Sequence, residues 1–326
     1  MKKRLKFIVI PIVVLTAVFV AGPTPDFEAF DSEPMKLEVK LEEIEQYLAN
    51  QEAKIPNIKP DNECEIIWAD SIRKTEYAIV YLHGYSASKG EGEPIHRDMA
   101  KKYACNLYLP RLFQHGLDDD DAFVKLTPKG LVESAKEAIA VGKLLGEKVI
   151  LMSTSTGSTL SIYLAANDPK IHSLVMMAPN IELADPTSHM VNNPWGKQII
   201  RTIVGSDYRT WEASEEAQQY WTTKNRIEGI IALRELMDRT MKEETFKKIN
   251  IPVRILAYYK NEEEQDQTVS VPMMETFLEK ISTPESQKSL VKFANARIHP
   301  LGSKYMNKNW KDVEDSVDEF LAEVIK

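Results

Sequence analysis

Cysteine is nearly absent: Cys64 and Cys105 are the only two in 326 residues. Two are too few for a disulfide framework or for a cysteine-rich structural zinc site. In an oxidising compartment the two could pair; a pair of small buried hydrophobes is the equal alternative. Basic charge is also in deficit, with 41 Lys and Arg against 49 Asp and Glu. No basic stripe, zinc-finger spacing or phosphate loop is present, so nucleic acid is not an expected partner. Low-complexity tracts are missing too, which leaves disorder only to the N-terminal stretch. What the chain does have is a 43% hydrophobic content, enough for a large core in one domain with room for a smaller insertion.

A long apolar run occurs once. Lys2, Lys3, Arg4 and Lys6 precede Phe7 to Ala21, which is broken only by Pro11 and Thr16. A positive start before a run of this length reads as a signal peptide over residues 1–22 or an uncleaved N-terminal membrane anchor. Export to the periplasm or the exterior, or attachment to the membrane, is therefore expected. Residues 23–35 are rich in Pro, Asp and Glu and read as a tether. Leu37, Leu41, Ile44 and Leu48 recur at helical spacing, which predicts an amphipathic helix over 36–52. The N-terminal segment 23–63 is thus set apart from a main domain over 64–326.

From residue 64 short apolar runs alternate with helical patterns. Strands are expected at 64–69, 78–82, 106–109, 149–152 and 174–178. Between them helices are expected at 94–103, 157–167 and from the Thr127–Pro128 cap to Gly146. Such alternation implies crossover units and a largely parallel sheet. It stops near Pro179. Residues 181–248 carry helical patterns, no convincing strand, and Trp195, Trp211 and Trp221. It resumes with a strand at 253–258, a helix at 272–281, a strand at 290–293 and a closing helix at 310–325. The fold class is α/β, interrupted by a helical insertion.

The central motif is Ser153-Thr154-Ser155-Thr156-Gly157, running from a buried strand directly into a helix. That is the setting of a nucleophile elbow, in which a sharp turn lifts the serine hydroxyl above the sheet. Ser153 stands where G-x-S-x-G has its first glycine; Gly157 keeps the second. A Ser/Thr-rich turn capping a helix would look similar. A serine is a weak nucleophile without a base and an oriented partner. In this arrangement the acid and then the histidine follow later strands. Asp266 lies after the strand at 253–258, ahead of Thr268, Val269 and Pro272; Glu262, Glu263 and Glu264 are rivals that look like a solvated loop. His299 lies in the loop after the strand at 290–293. No other histidine has that order in the chain. The expected catalytic set is Ser155, Asp266 and His299.

The strand from Ala78 ends in His83-Gly84-Tyr85. A tetrahedral oxyanion needs two fixed backbone donors. The amides of Tyr85 and Thr156 are the candidates, with Gly84 allowing close approach and His83 as a structural hydrogen-bonding group. Together with Arg111-Leu-Phe-Gln-His115-Gly116, the Ser155 elbow, Asp266 and His299, these residues resemble the α/β-hydrolase family over roughly 64–326. The chain is most similar to the branch of monoacylglycerol lipases, small carboxylesterases and serine aminopeptidases. The resemblance implies an α/β-hydrolase fold, residues 181–248 as a helical cap forming the acyl pocket, and a serine hydrolase acting through an acyl-enzyme.

Three functions are open on these residues. A carboxylesterase or lipase would take a small-molecule acyl ester, and Trp195, Trp211, Trp221, Ile199, Ile200 and Ile203 are its candidate pocket lining. An aminopeptidase would need acids in the cap, for which Glu182, Asp185, Glu212, Glu215 and Glu216 are available. A catalytically inactive scaffold used for binding is the third. No cofactor is called for. The Asp118–Asp121 run lacks the alternating ligand spacing of a calcium loop, so no metal is implied. Oligomeric state is not legible.

Overall fold

The computed structural model describes the backbone of residues 2–325 and the side chains of residues 10–325. The main sheet has seven strands in the order β1-β3-β2-β4-β5-β8-β9. They are β1 (Glu65–Ile67), β2 (Thr75–Leu82), β3 (Asn106–Leu109), β4 (Gly146–Thr154), β5 (Ile171–Met177), β8 (Val253–Tyr258) and β9 (Lys288–Phe293). Only β1 runs antiparallel to its neighbour; every other pairing is parallel. The central strands are continuous apolar runs because helices cover both faces. Ala78 to Leu82 and Val149 to Met152 are fully buried.

The helices are α1 (Lys2–Val20), α2 (Ile44–Glu52), α3 (Ile95–Lys102), α4 (Pro128–Leu145), α5 (Thr156–Ala165), α6 (Gly196–Val204), α7 (Glu215–Tyr220), α8 (Ile227–Thr240), α9 (Glu243–Phe246), α10 (Val271–Lys280) and α11 (Trp310–Val324). The start of α4 follows its sequence: Thr127 Oγ1 accepts from the Gly130 amide at 3.1 Å, and Pro128 takes the first position. A two-stranded sheet, β6 (Tyr208–Thr210) with β7 (Lys224–Arg226), lies inside the insertion.

Three expectations need correcting. The insertion is not free of strands, since β6 and β7 pair there. The helix expected over 36–52 begins only at Leu41 with a 3-10 turn and becomes α-helical at Ile44; Lys40 is extended. The 23–35 stretch is not a free tether. Phe27 and Phe30 pack on the core, and Lys129 and Lys136 reach Glu28 and Asp31. Alternating acid and aromatic residues let one face of that segment bury and the other ion-pair. In α1, Ile10 to Val20 are exposed, and Val18 accepts from Trp195 Nε1 at 3.0 Å. Among the described residues no helix is long and apolar enough to cross a membrane. Cys64 and Cys105 are free thiols.

Candidate active site

All the candidate residues come from the carboxyl-terminal edge of the parallel sheet. The ends of β2, β4, β8 and β9 carry Tyr85, Ser155, Asp266 and His299 respectively. In a parallel sheet that edge is where loops converge on a ligand.

Ser155 has φ 51° and ψ −116°, a backbone that non-glycine residues rarely hold. Its amide donates to Met177 O at 3.0 Å, and its carbonyl accepts from Asn180 and Ser158. These bonds fix the turn from β4 and β5 together. The turn needs Gly157: a Cβ there would lie 1.9 Å from Leu82 O. It tolerates Ser153, whose Oγ is buried and lies 3.0 Å from Ser158 Oγ. The departure from the usual glycine is thus absorbed by a local hydroxyl pair.

The His299 imidazole joins the other two. Ser155 Oγ is 2.9 Å from Nε2, and Asp266 Oδ2 is 2.7 Å from Nδ1. The second contact fixes the tautomer, with Nδ1–H donating to the carboxylate and Nε2 left to accept from the serine. Asp266 Oδ1 also accepts from the Thr268 and Val269 amides at 2.8 and 3.2 Å. Burial works to raise the Asp266 carboxyl, but His299 and these two amides outweigh it and hold it below the ordinary range. Burial works to lower His299. The Asp266 charge and hydrogen bond, then the Glu91 charge, outweigh it and hold the imidazole above its usual value, while Arg209 opposes them. Of the rivals, Glu264 pairs with Lys260, and none of Glu262, Glu263 and Glu264 lines the cavity.

A cavity of about 460 Å³ opens over the triad and is lined by Tyr85, Thr156, Glu91, Trp211, Trp221 and Leu233, among others. The Tyr85 and Thr156 amides have no protein acceptor among the described residues. Both therefore remain available to an oxyanion. His83 is structural: Nδ1 meets Gly84 O at 3.0 Å, and Nε2 accepts from the Leu112 amide at 3.2 Å. Of the apolar cap candidates, only Trp211 and Trp221 line the cavity. Trp195 instead contacts the end of α1, and Ile203 is solvent-exposed, so the lining expected from α6 is not there. None of Glu182, Asp185, Glu212, Glu215 and Glu216 lines it either. Glu182 is occupied by Arg234.

One residue escaped the sequence. Glu91 is only 3% exposed and lines the cavity beside Ser155. Its Oε2 accepts from the Gly84 amide at 2.6 Å and from the Tyr81 hydroxyl at 3.3 Å; that hydroxyl is 2.9 Å from Thr154 Oγ1. Glu91 thus ties the turn that presents Tyr85 to the strand that presents Ser155. Burial pushes its carboxyl up to about 7, against the Gly84 amide, the His299 charge and the Tyr81 hydroxyl. The Lys-Gly-Glu-Gly-Glu segment reads as a solvated turn, and no local signal marks its burial.

No protein-family model matches the sequence, and no curated protein matches it. Solved structures do. One from work on LipS and LipT, two metagenome-derived lipolytic enzymes, is 14% identical with a TM-score of 0.64, covering 82% of this chain and 100% of its own. The monoacylglycerol lipase of Paleococcus ferrophilus is 14% identical with a TM-score of 0.58, covering 80% and 98%. Est1E from Butyrivibrio proteoclasticus, with ferulic acid bound, is 15% identical with a TM-score of 0.53, covering 80% and 94%. At such identities the likeness speaks to architecture, and the architecture of this chain is the α/β-hydrolase fold.

Proposed function

We propose that this chain is a serine hydrolase that cleaves carboxylic esters through an acyl-enzyme on Ser155. The observation that carries the reading is the continuous relay from Ser155 Oγ through His299 to Asp266, at 2.9 and 2.7 Å. His299 takes the serine proton as Oγ attacks the ester carbonyl, and Asp266 stabilises the imidazolium that forms. The Tyr85 and Thr156 amides receive the oxyanion. His299 then protonates the departing alcohol. Water repeats the sequence on the acyl-enzyme and releases the acid. Each step balances within the triad and needs no cofactor.

An ester is favoured over a peptide with a free amino terminus because the cap carboxylates that would hold the ammonium stay outside the cavity. Carboxylesterase and lipase differ in acyl length, which a series of 4-nitrophenyl esters from acetate to palmitate resolves. The test of the reading itself is covalent labelling by a fluorophosphonate, together with ester turnover. Both are expected in the wild type and lost in Ser155→Ala. A wild-type protein that neither labels nor turns over would leave a binding scaffold instead. For residues 1–22, the positive start and apolar run support export; N-terminal sequencing of protein recovered outside the cytoplasm checks it.

A further inference from the structure

All but two of the arginines with described side chains stand within 4.0 Å of a carboxylate. The exceptions are Arg209 and Arg297, and both line the cavity above the triad. In a chain with 49 acids against 41 bases, arginines find partners readily. That the two left without one meet at the same opening is the observation to explain.

Both side chains are exposed, and it is their backbone that the fold positions. Arg209 sits on β6 directly opposite Asn225 of β7. Opposed residues of an antiparallel pair share a face of the sheet. Asn225 is buried, and its Oδ1 accepts from the Tyr85 hydroxyl at 2.9 Å. The hairpin is thereby docked on the residue that offers the oxyanion amide, with Arg209 on the docked face. The Arg209 charge is felt at the triad, where it works against protonation of His299. Arg297 lines the cavity from another segment, two residues before His299 in the same loop, at φ 54°. The remaining charged lining groups, Glu91 and Asp266, are buried and already engaged with the Gly84 amide and with His299. Trp211, which also lines the cavity, has a buried Nε1 donor with no partner among the described residues.

We infer that Arg209 and Arg297 receive a carboxylate of the substrate, so that the ester cleaved at Ser155 carries a negative charge on its acyl or alcohol portion. Guanidinium groups suit this task because their planar donors match a carboxylate two bonds at a time. The charged end is held at the opening while the ester carbonyl lies between Ser155 and the two amides. The inference rests on the hydrolase reading above and specifies its substrate class.

The test compares charged and capped esters on one protein. On the acyl side these are the 4-nitrophenyl monoester of adipic acid and its methyl-capped diester; on the alcohol side, 4-acetoxybenzoate and its methyl ester. The readout is the ratio of kcat/KM for the charged over the capped ester. Wild type is expected to favour the charged member of at least one pair. In Arg209→Gln and in Arg297→Gln that ratio falls about tenfold, chiefly through KM, with Arg→Lys losing less. The wild-type preference also shrinks as salt is raised. A ratio near one in wild type, or an equal loss for both members of a pair, overturns the inference. So does inhibition by phosphate with none by adipate, which would assign the arginines to another anion. If both esters turn over and depend on Ser155 without a charge preference, this inference fails alone. If neither depends on Ser155, the hydrolase reading fails first.

Discussion

At the scale of the residue, His299 is where the electrostatics of the site meet. His299 and two amides hold the Asp266 carboxyl below its ordinary range, and in the proposed mechanism its charge stabilises the imidazolium during attack. Asp266→Asn keeps the shape but offers an amide where an anion was. We expect kcat for a 4-nitrophenyl ester to fall by roughly 10³–10⁴, with fluorophosphonate labelling slowed in parallel. Glu91 acts on the same imidazole from the other side. Its negative form helps hold His299 above the ordinary range, and in the proposed mechanism the free imidazole is the active form. In Glu91→Gln that support is gone, so the acid limb of kcat/KM moves to lower pH. The rate on the plateau falls by about tenfold as the imidazolium loses a counter-charge. The two groups titrate as a pair, so the limb belongs to both. An unmoved limb with a lowered plateau would leave Glu91 as a structural anchor of Gly84 alone. Ser155, Asp266 and His299 were legible in sequence because their order follows the strands. Glu91 was not, because nothing in its own segment marks burial: the Gly84 amide and Tyr81 hydroxyl that hold it reach it only once that segment folds back onto the end of β2.

At the scale of the element, the elbow and the hairpin show opposite degrees of legibility. The elbow is local. A buried strand, small residues around a serine and an immediate helix state it in the sequence, and Gly157 is the position that geometry holds most tightly. Gly157→Ala would press a methyl onto Leu82 O and part β4 and α5 from β2. We expect a loss of about 1–3 kcal/mol or more in denaturant unfolding and a larger loss in turnover. Ser153→Gly, in contrast, removes only the Ser158 partnership and should cost far less. The hairpin is not local. Tyr208-Arg-Thr and Lys224-Asn-Arg have neither the length nor the alternation of a strand signal, and they exist as strands because the insertion folds back on the main domain. The Tyr85–Asn225 bond helps dock them, beside the Arg226 amide to Ala122 O at 2.9 Å and the Tyr208 hydroxyl to Asp121 Oδ1 at 2.6 Å. Tyr85→Phe leaves Asn225 buried without that donor, a cost of about 1–3 kcal/mol. If the hairpin also carries Arg209 into place, turnover of a charged ester falls further than stability alone accounts for. Stability and kcat/KM measured on the same variant separate the two.

At the scale of the whole molecule, the interior carries several titratable groups that folding holds away from their solution behaviour, and the balance sets a direction in pH. Burial pushes His83 and His96 down to about 4, and His115 is held well below its usual value by burial and then by His83. In the unfolded chain each titrates near 6.5. Between about pH 6.5 and 4 the unfolded state therefore binds up to three protons that the folded state refuses. Glu91 works the other way: its folded carboxyl, near 7, keeps a proton that the unfolded chain gives up above about 4.5. The net excess near pH 5.5 is about two protons in the unfolded state. Stability should thus fall by about 3 kcal/mol for each pH unit of acidification through this window, and level off above it. Chemical denaturation at pH 7.5, 6.5, 5.5 and 4.5 measures the slope directly. The same acidification protonates His299, so activity and fold are expected to fail together on the acid side. A stability that holds level down to pH 4.5 would mean the three histidines take up protons in the folded protein. That would contradict the burial of the strand-end turns, formed by His83 and the His115 loop, that carry Tyr85 to the site.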